Sequence, residues 1–166
     1  MKRQWLKYAG VVAAALMLSG PAFAYDREMA EGYAEVFKTV DGPKAGKHLH
    51  LIKPDKFVEQ VRQGAKFTTV DIRTPGETRF FTSSLPGNRV IPLAELFEHE
   101  NLSSLPTDGK IVLFCKSGTR ASAAAAALRG VGFENTYVLK GGFKALSSYL
   151  GPKEANAPIG AKAAAR

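Results

Sequence analysis

Between Ile111 and Phe114 four apolar residues lead into a cysteine, a short polar turn containing Gly118, and an alanine-rich run over 119–129. A short continuous apolar run predicts a strand buried on both faces, and the run after Gly118 predicts a helix. Ala121 and 123–127 are small enough to let that helix approach a sheet closely. Other segments repeat the alternation. Residues 49–53 predict a short strand, and Pro54 suits the first turn of a helix striped by Phe57, Val58 and Val61 and ended by Gly64. The β-branched run 67–72 predicts a strand, 89–91 a minimal one, and 136–139 another. One or two helical turns are expected over 93–98, a surface loop over 101–109, and a last short helix over 143–150. Strands alternating with helices predict an α/β fold with a mainly parallel, five-stranded central sheet and helices on both faces.

The flanks have a different pattern. Apolar positions Met29, Tyr33, Val36 and Phe37 give 26–38 one amphipathic helix, followed by an Asp41-Gly42-Pro43 turn and a basic linker to Lys47. Residues 25–47 therefore form an N-terminal helical leader, and 48–150 the domain. Residues 151–166 are rich in Pro, Ala, Gly and Lys and are expected to form a flexible tail. Residues 1–24 have a basic start, an uncharged apolar stretch and Ala22-Phe23-Ala24, which is the layout of a secretory signal peptide. That stretch falls short of the roughly 20 residues needed to span a bilayer. The expectation is export, to a periplasm, with no stable membrane insertion after cleavage.

Charge changes the picture little. The formal net charge of +8 falls to +5 without the three basic residues of 1–24, and what remains is spread out, which disfavours nucleic-acid binding. Cysteine changes it more. The chain of 166 residues has one, so no internal disulfide is available. Such a thiol is either a buried bystander or a reactive group. His48 and His50, in a strand, would face one side, but no third ligand has a recognisable spacing, and no metal site is expected.

The turn after Cys115 favours a thiolate. Lys116, Ser117, Gly118, Thr119 and Arg120 supply five backbone N–H groups at a helix start, where they form an anion-binding nest. Gly118 permits the tight backbone, and Lys116 and Arg120 add positive charge. Thiols so placed have pKa values of roughly 3.5–7.5, against about 8.5 when free. Ligands of parallel sheets bind at the carboxyl ends of strands. Asp71-Ile72-Arg73, Cys115 and Lys140-Gly141-Gly142 all fall at such ends.

Four pieces, in order, carry a resemblance: Asp71-Ile72-Arg73 with Glu77; Leu85-Pro86-Gly87 with Ile91-Pro92-Leu93; Cys115-Lys116-Ser117-Gly118-Thr119-Arg120; and residues 137–143. With them, residues 49–150 resemble a rhodanese-like domain. The resemblance implies a cysteine that accepts sulfane sulfur from thiosulfate or a related anionic donor and passes it to cyanide, a thiol or a protein cysteine. Carried over by position, Cys115 is the nucleophile and persulfide carrier, and Lys116, Ser117, Gly118, Thr119 and Arg120 are the cradle. Asp71, Arg73, Glu77, Lys140, Gly141 and Gly142 are supporting candidates. For Asp71, Arg73 and Glu77 a structural role is expected, with the arginine between two carboxylates. No cofactor is implied beyond the covalent persulfide. Cysteine phosphatases have a loop one residue longer than the four between Cys115 and Arg120, and a histidine where this chain has Phe114. Ser84, Thr78, Ala121 and Phe143 depart from the family's common residues. The alternative is a non-catalytic or weakly catalytic sulfur- or anion-binding module that serves a periplasmic partner protein.

Overall fold

The computed structural model describes residues 24–85 and 87–157. Apart from Ala24, the segment read as a signal peptide lies outside them, as do residues 158–166. Two compact units are separated near Val40.

In the first unit, helix α1 spans Arg27–Phe37, capped by the Asp26 side chain, which accepts from the Met29 N–H at 2.9 Å. Met29, Tyr33, Val36 and Phe37 are exposed, and the rings of Tyr33 and Phe37 stack.

The second unit begins with a 3₁₀ turn, Gly42–Lys44, and helix α2, Ala45–His48. A sheet follows, built from β1 (Leu51–Ile52), β2 (Thr68–Asp71), β3 (Asn88–Val90), β4 (Ile111–Phe114) and β5 (Thr136–Leu139). Its order is β1-β5-β4-β2-β3 and every pairing is parallel. The connecting helices are α3 (Pro54–Arg62), α4 (Pro75–Thr78), α5 (His99–Ser103), α6 (Thr119–Gly130), α7 (Gly142–Tyr149) and α8 (Pro152–Ala155). This is the α/β sheet with helices on both faces that the alternation predicts.

Strand β4 lies at the centre, with all four residues buried. The pleat sends successive side chains to opposite faces. Ile111, Leu113 and Cys115 join Ala121, Ala124, Ala125 and Leu128 of α6 in one core. Val112 and Phe114 join Phe57 and Val58 of α3 and Leu146 of α7 in the other. Continuing the strand's alternation by one residue thus places the Cys115 side chain on the α6 face.

Two local expectations are corrected. His48 and His50 do not share a strand: His48 ends α2, and His50 has a positive φ of 58°. The His50 ring stacks on Tyr137 and its Nδ1 lies 3.2 Å from the Thr136 carbonyl. Residues 93–97 form turns rather than a helix, and the helix comes later, at α5, which begins at His99 and runs into the expected loop. The Leu93 N–H is held by the Ile72 carbonyl, and Leu96 and Leu105 are both buried, so the chain stays tied to the core on either side of α5. Beyond Leu150, the expected flexible tail contains α8, which Arg62 anchors through its ion pair with Glu154 at 2.9 Å.

Candidate functional site

Cys115 lies just past the carboxyl end of β4 and is 1% exposed. Gly118 has φ +97° and opens α6 as its N-cap, which turns the loop back over the sulfur. The Gly118 N–H donates to Cys115 Sγ at 3.2 Å. Burial pushes the thiol up, but the backbone N–H groups of Ala121, Ser117, Gly118 and Arg120 outweigh it. The thiol pKa therefore lies below its ordinary value. An inert buried cysteine would show the opposite. The nest differs in membership from the run expected in the sequence. Ala121 contributes because its N–H is one of the unpaired donors in the first turn of α6.

The side chains of Lys116, Ser117 and Thr119 are exposed, and the Ser117 and Thr119 hydroxyl oxygens lie 3.4 Å apart. Arg120 points to Glu77: Nη1 donates to Oε2 at 2.9 Å and Nη2 to Oε1 at 2.8 Å. Glu77 is held in turn by a capping box, in which it accepts from the Thr74 N–H and hydroxyl while Thr74 accepts from the Glu77 N–H. Arg120 first and the Thr74 N–H second bring the Glu77 carboxyl down to about 2. In return Glu77 raises the Arg120 guanidinium, burial opposes it, and the Cys115 charge adds a smaller push upward. The sulfur, Arg120 and Glu77 are thus linked in sequence.

The supporting residues separate into two groups. Asp71 and Arg73 form a buried bidentate pair, with Nε to Oδ1 at 2.9 Å and Nη2 to Oδ2 at 2.7 Å. Arg73 also donates to the carbonyls of Phe81 and Glu77 and lies 3.9 Å over the Phe143 ring. The expected arginine between two carboxylates is corrected here, because the Glu77 carboxylate goes to Arg120 and only its carbonyl meets Arg73. Gly142 acts on the cysteine loop itself, whereas a Cβ on Gly141 would meet Ala145 of α7 at 2.6 Å. A Cβ on Gly142 would sit 2.3 Å from the Cys115 carbonyl oxygen and 2.9 Å from the Gly118 nitrogen. That close approach lets the Phe143 N–H reach the Cys115 carbonyl at 2.8 Å and the Lys144 N–H the Lys116 carbonyl at 3.1 Å. Lys140 is exposed, and its N–H pairs with the Ile52 carbonyl.

A cavity of about 440 Å³ lies elsewhere, lined by Val61, Phe67, Thr69, Leu85 and Gly87 among others. Phe67 and Gly87 immediately precede β2 and β3, so it opens at the amino ends of the strands, away from Cys115. Among the described residues, no group of three His, Cys, Asp or Glu side chains could hold a metal ion.

Comparison with known proteins agrees with this geometry. The chain is 32% identical over 101 residues to the Mycobacterium tuberculosis protein named "Probable adenylyltransferase/sulfurtransferase MoeZ", a match covering 61% of this chain and 25% of that protein. The chain thus spans about a quarter of that relative's length. It is 38% identical over 87 residues to the Bacillus subtilis protein YqhL, covering 52% of this chain and 66% of YqhL. A rhodanese-related protein of Thermoplasma volcanium superposes with a TM-score of 0.53 at 26% identity, over 62% of this chain and 95% of that one. The family model for the rhodanese-like domain matches residues 53–149, more than half of the sequence and all of the segments around Cys115, so the chain belongs to the rhodanese-like family.

Proposed function

We propose that the chain is a sulfurtransferase that carries sulfane sulfur on Cys115. Membership of the family supports sulfur transfer in general terms. The observation that carries the reading for this chain is the set of N–H groups around the sulfur, which outweigh burial and favour an anion there. A thiolate is the nucleophile in such chemistry, and the thiol is not.

The steps balance without a cofactor. The Cys115 thiolate attacks the outer sulfur of thiosulfate, the S–S bond of the donor breaks, and sulfite leaves with the bonding pair. Cys115 then holds a persulfide whose terminal sulfur is anionic and lies where the N–H groups converge. Cyanide or a thiolate attacks that terminal sulfur, the new S–S bond breaks, and Cys115 returns to the thiolate. Exposed Lys116 draws the anionic donor toward the loop. Arg120, fixed by Glu77, adds a positive group beside the sulfur. The same site would work in a periplasm, in line with the pattern of residues 1–24. Among the described residues no helix is long and apolar enough to cross a membrane.

The direct test is steady-state thiocyanate production from thiosulfate and cyanide. Wild type turns over and Cys115→Ser does not. Equal rates in the two would remove the reading. The 1% exposure of Cys115 favours one second reading, a module that stores sulfur for a partner protein and turns over slowly. Rapid loading with thiosulfate followed by release only when a partner is added would support it.

A further inference from the structure

The surface around Cys115 carries two features that transfer to cyanide does not need. Phe80 and Phe81 are 77% and 71% exposed. Adjacent exposed aromatic rings are informative where a single exposed apolar residue is not. Their loop is pinned: the Phe81 carbonyl accepts from Arg73 Nη2 at 2.7 Å, and the Thr82 hydroxyl donates to Asp71 at 3.2 Å. Asp71 and Arg73 are both buried. Glu77, three residues before Phe80, holds Arg120 of the cysteine loop. The rings are therefore presented on the Cys115 end of the sheet by a fixed backbone.

The second feature is charge. Lys116, Lys140 and Lys144 are exposed and lie on segments that meet around the sulfur. The Lys144 N–H bonds the Lys116 carbonyl, and Lys140 precedes the Gly141-Gly142 pair packed on the loop. Among the described residues, no ion pair engages these three lysines, while Asp71 and Glu77, the carboxylates of this end, are each paired with an arginine.

We infer that the acceptor is a protein cysteine flanked by apolar and acidic side chains, docking across the mouth of the Cys115 loop. Its apolar residue rests on Phe80 and Phe81, and its carboxylates face the lysines. Aromatic anchors supply contact energy in such interfaces, and opposite charge steers the encounter. Cyanide has no apolar group to rest on the rings and no carboxylate to pair with the lysines. This inference rests on the sulfur-carrier reading. The acceptor thiolate attacks the terminal sulfur of the Cys115 persulfide, the S–S bond breaks, Cys115 leaves as thiolate, and the acceptor keeps the sulfur as its own persulfide. No outside oxidant or reductant is required.

The experiment uses thiosulfate-loaded full-length protein and two synthetic peptides, one with its cysteine between Leu and Glu, the other between Ser and Lys. Wild type should pass sulfur to the first about tenfold faster than to the second, with the lead shrinking at high salt. Phe80→Ser with Phe81→Ser, and separately Lys144→Glu, should reduce the lead to about twofold or less while cyanide turnover persists. Persistent turnover also shows that the variants fold. A wild type without the preference, or variants that keep it, overturns the docking inference alone. Failure of thiosulfate to load Cys115 in wild type, read as no gain of one sulfur in the intact mass, removes the sulfur-carrier reading, and this inference with it.

Discussion

Glu77 and Arg120 stand 43 positions apart in the chain and meet through two hydrogen bonds. The pair fixes a flexible side chain beside the Cys115 sulfur. Glu77→Gln keeps the shape and removes the charge, so Arg120 loses its anchor. Thiosulfate:cyanide kcat should fall about ten- to a hundredfold, since small misplacements cost that much. Both side chains are about a third exposed, so solvent screens the pair and the loss of stability should stay under about 1 kcal/mol. The sign of its pH dependence follows from the lowered carboxyl. Glu77 is brought down from 4.5 to about 2, so its contribution is full above pH 4.5 and disappears as pH falls to about 2. Urea unfolding should show the gap between wild type and Glu77→Gln closing over that window. A gap that widens on acidification would contradict the assignment. At this scale the cysteine loop was legible in the sequence, because its donors are contiguous with Cys115. The Glu77–Arg120 pair was not, since nothing local tells an arginine at 73 from one at 120 as the partner of Glu77. The Ala121 N–H lies beyond the Cys115–Arg120 run and joins the nest only because a helix leaves its first-turn donors unpaired.

At the scale of elements, the site depends on α7 docking against the cysteine loop. Gly142 stands at the contact with φ +60° and no room for a Cβ. Gly64 has φ +79° and nothing within 4 Å, so it isolates the conformational part of the cost. Gly64→Ala should lose about 1–2 kcal/mol, from the left-handed backbone alone. Gly142→Ala should lose about 3 kcal/mol or more, because backbone must also move. It should reduce turnover as well, since the displaced atoms belong to Cys115, Lys116 and Gly118. Denaturant unfolding of the two variants measures the difference, and equal losses would refute the docking role. The sequence suggested a turn at this glycine pair, but the approach of a second loop depends on tertiary packing. Helix α5 was misplaced for a related reason. The local pattern favoured 93–98, whereas ties from Leu93 to Ile72 and the burial of Leu96 and Leu105 fix the path.

For the whole molecule, Asp71 and Arg73 form a hub that joins β2, the loop carrying Phe81, and Phe143 of α7. Their side chains are 0% and 6% exposed. Arg73→Ala leaves a buried carboxylate without its partner and should cost about 3–5 kcal/mol. A loss below 1 kcal/mol, measured by thermal or urea unfolding, would mean that the hub carries little. The sheet was legible because four of its five strands have apolar or β-branched runs bounded by Gly, Pro or charge. Strand order was not, because it follows from how the helices cover both faces. The central claim is that Cys115 carries sulfur, and the most direct measurement is the intact mass of the protein after thiosulfate treatment. The account predicts a population heavier by one sulfur atom, lost on reduction and absent from Cys115→Ser; a free thiol alone after that treatment would contradict it.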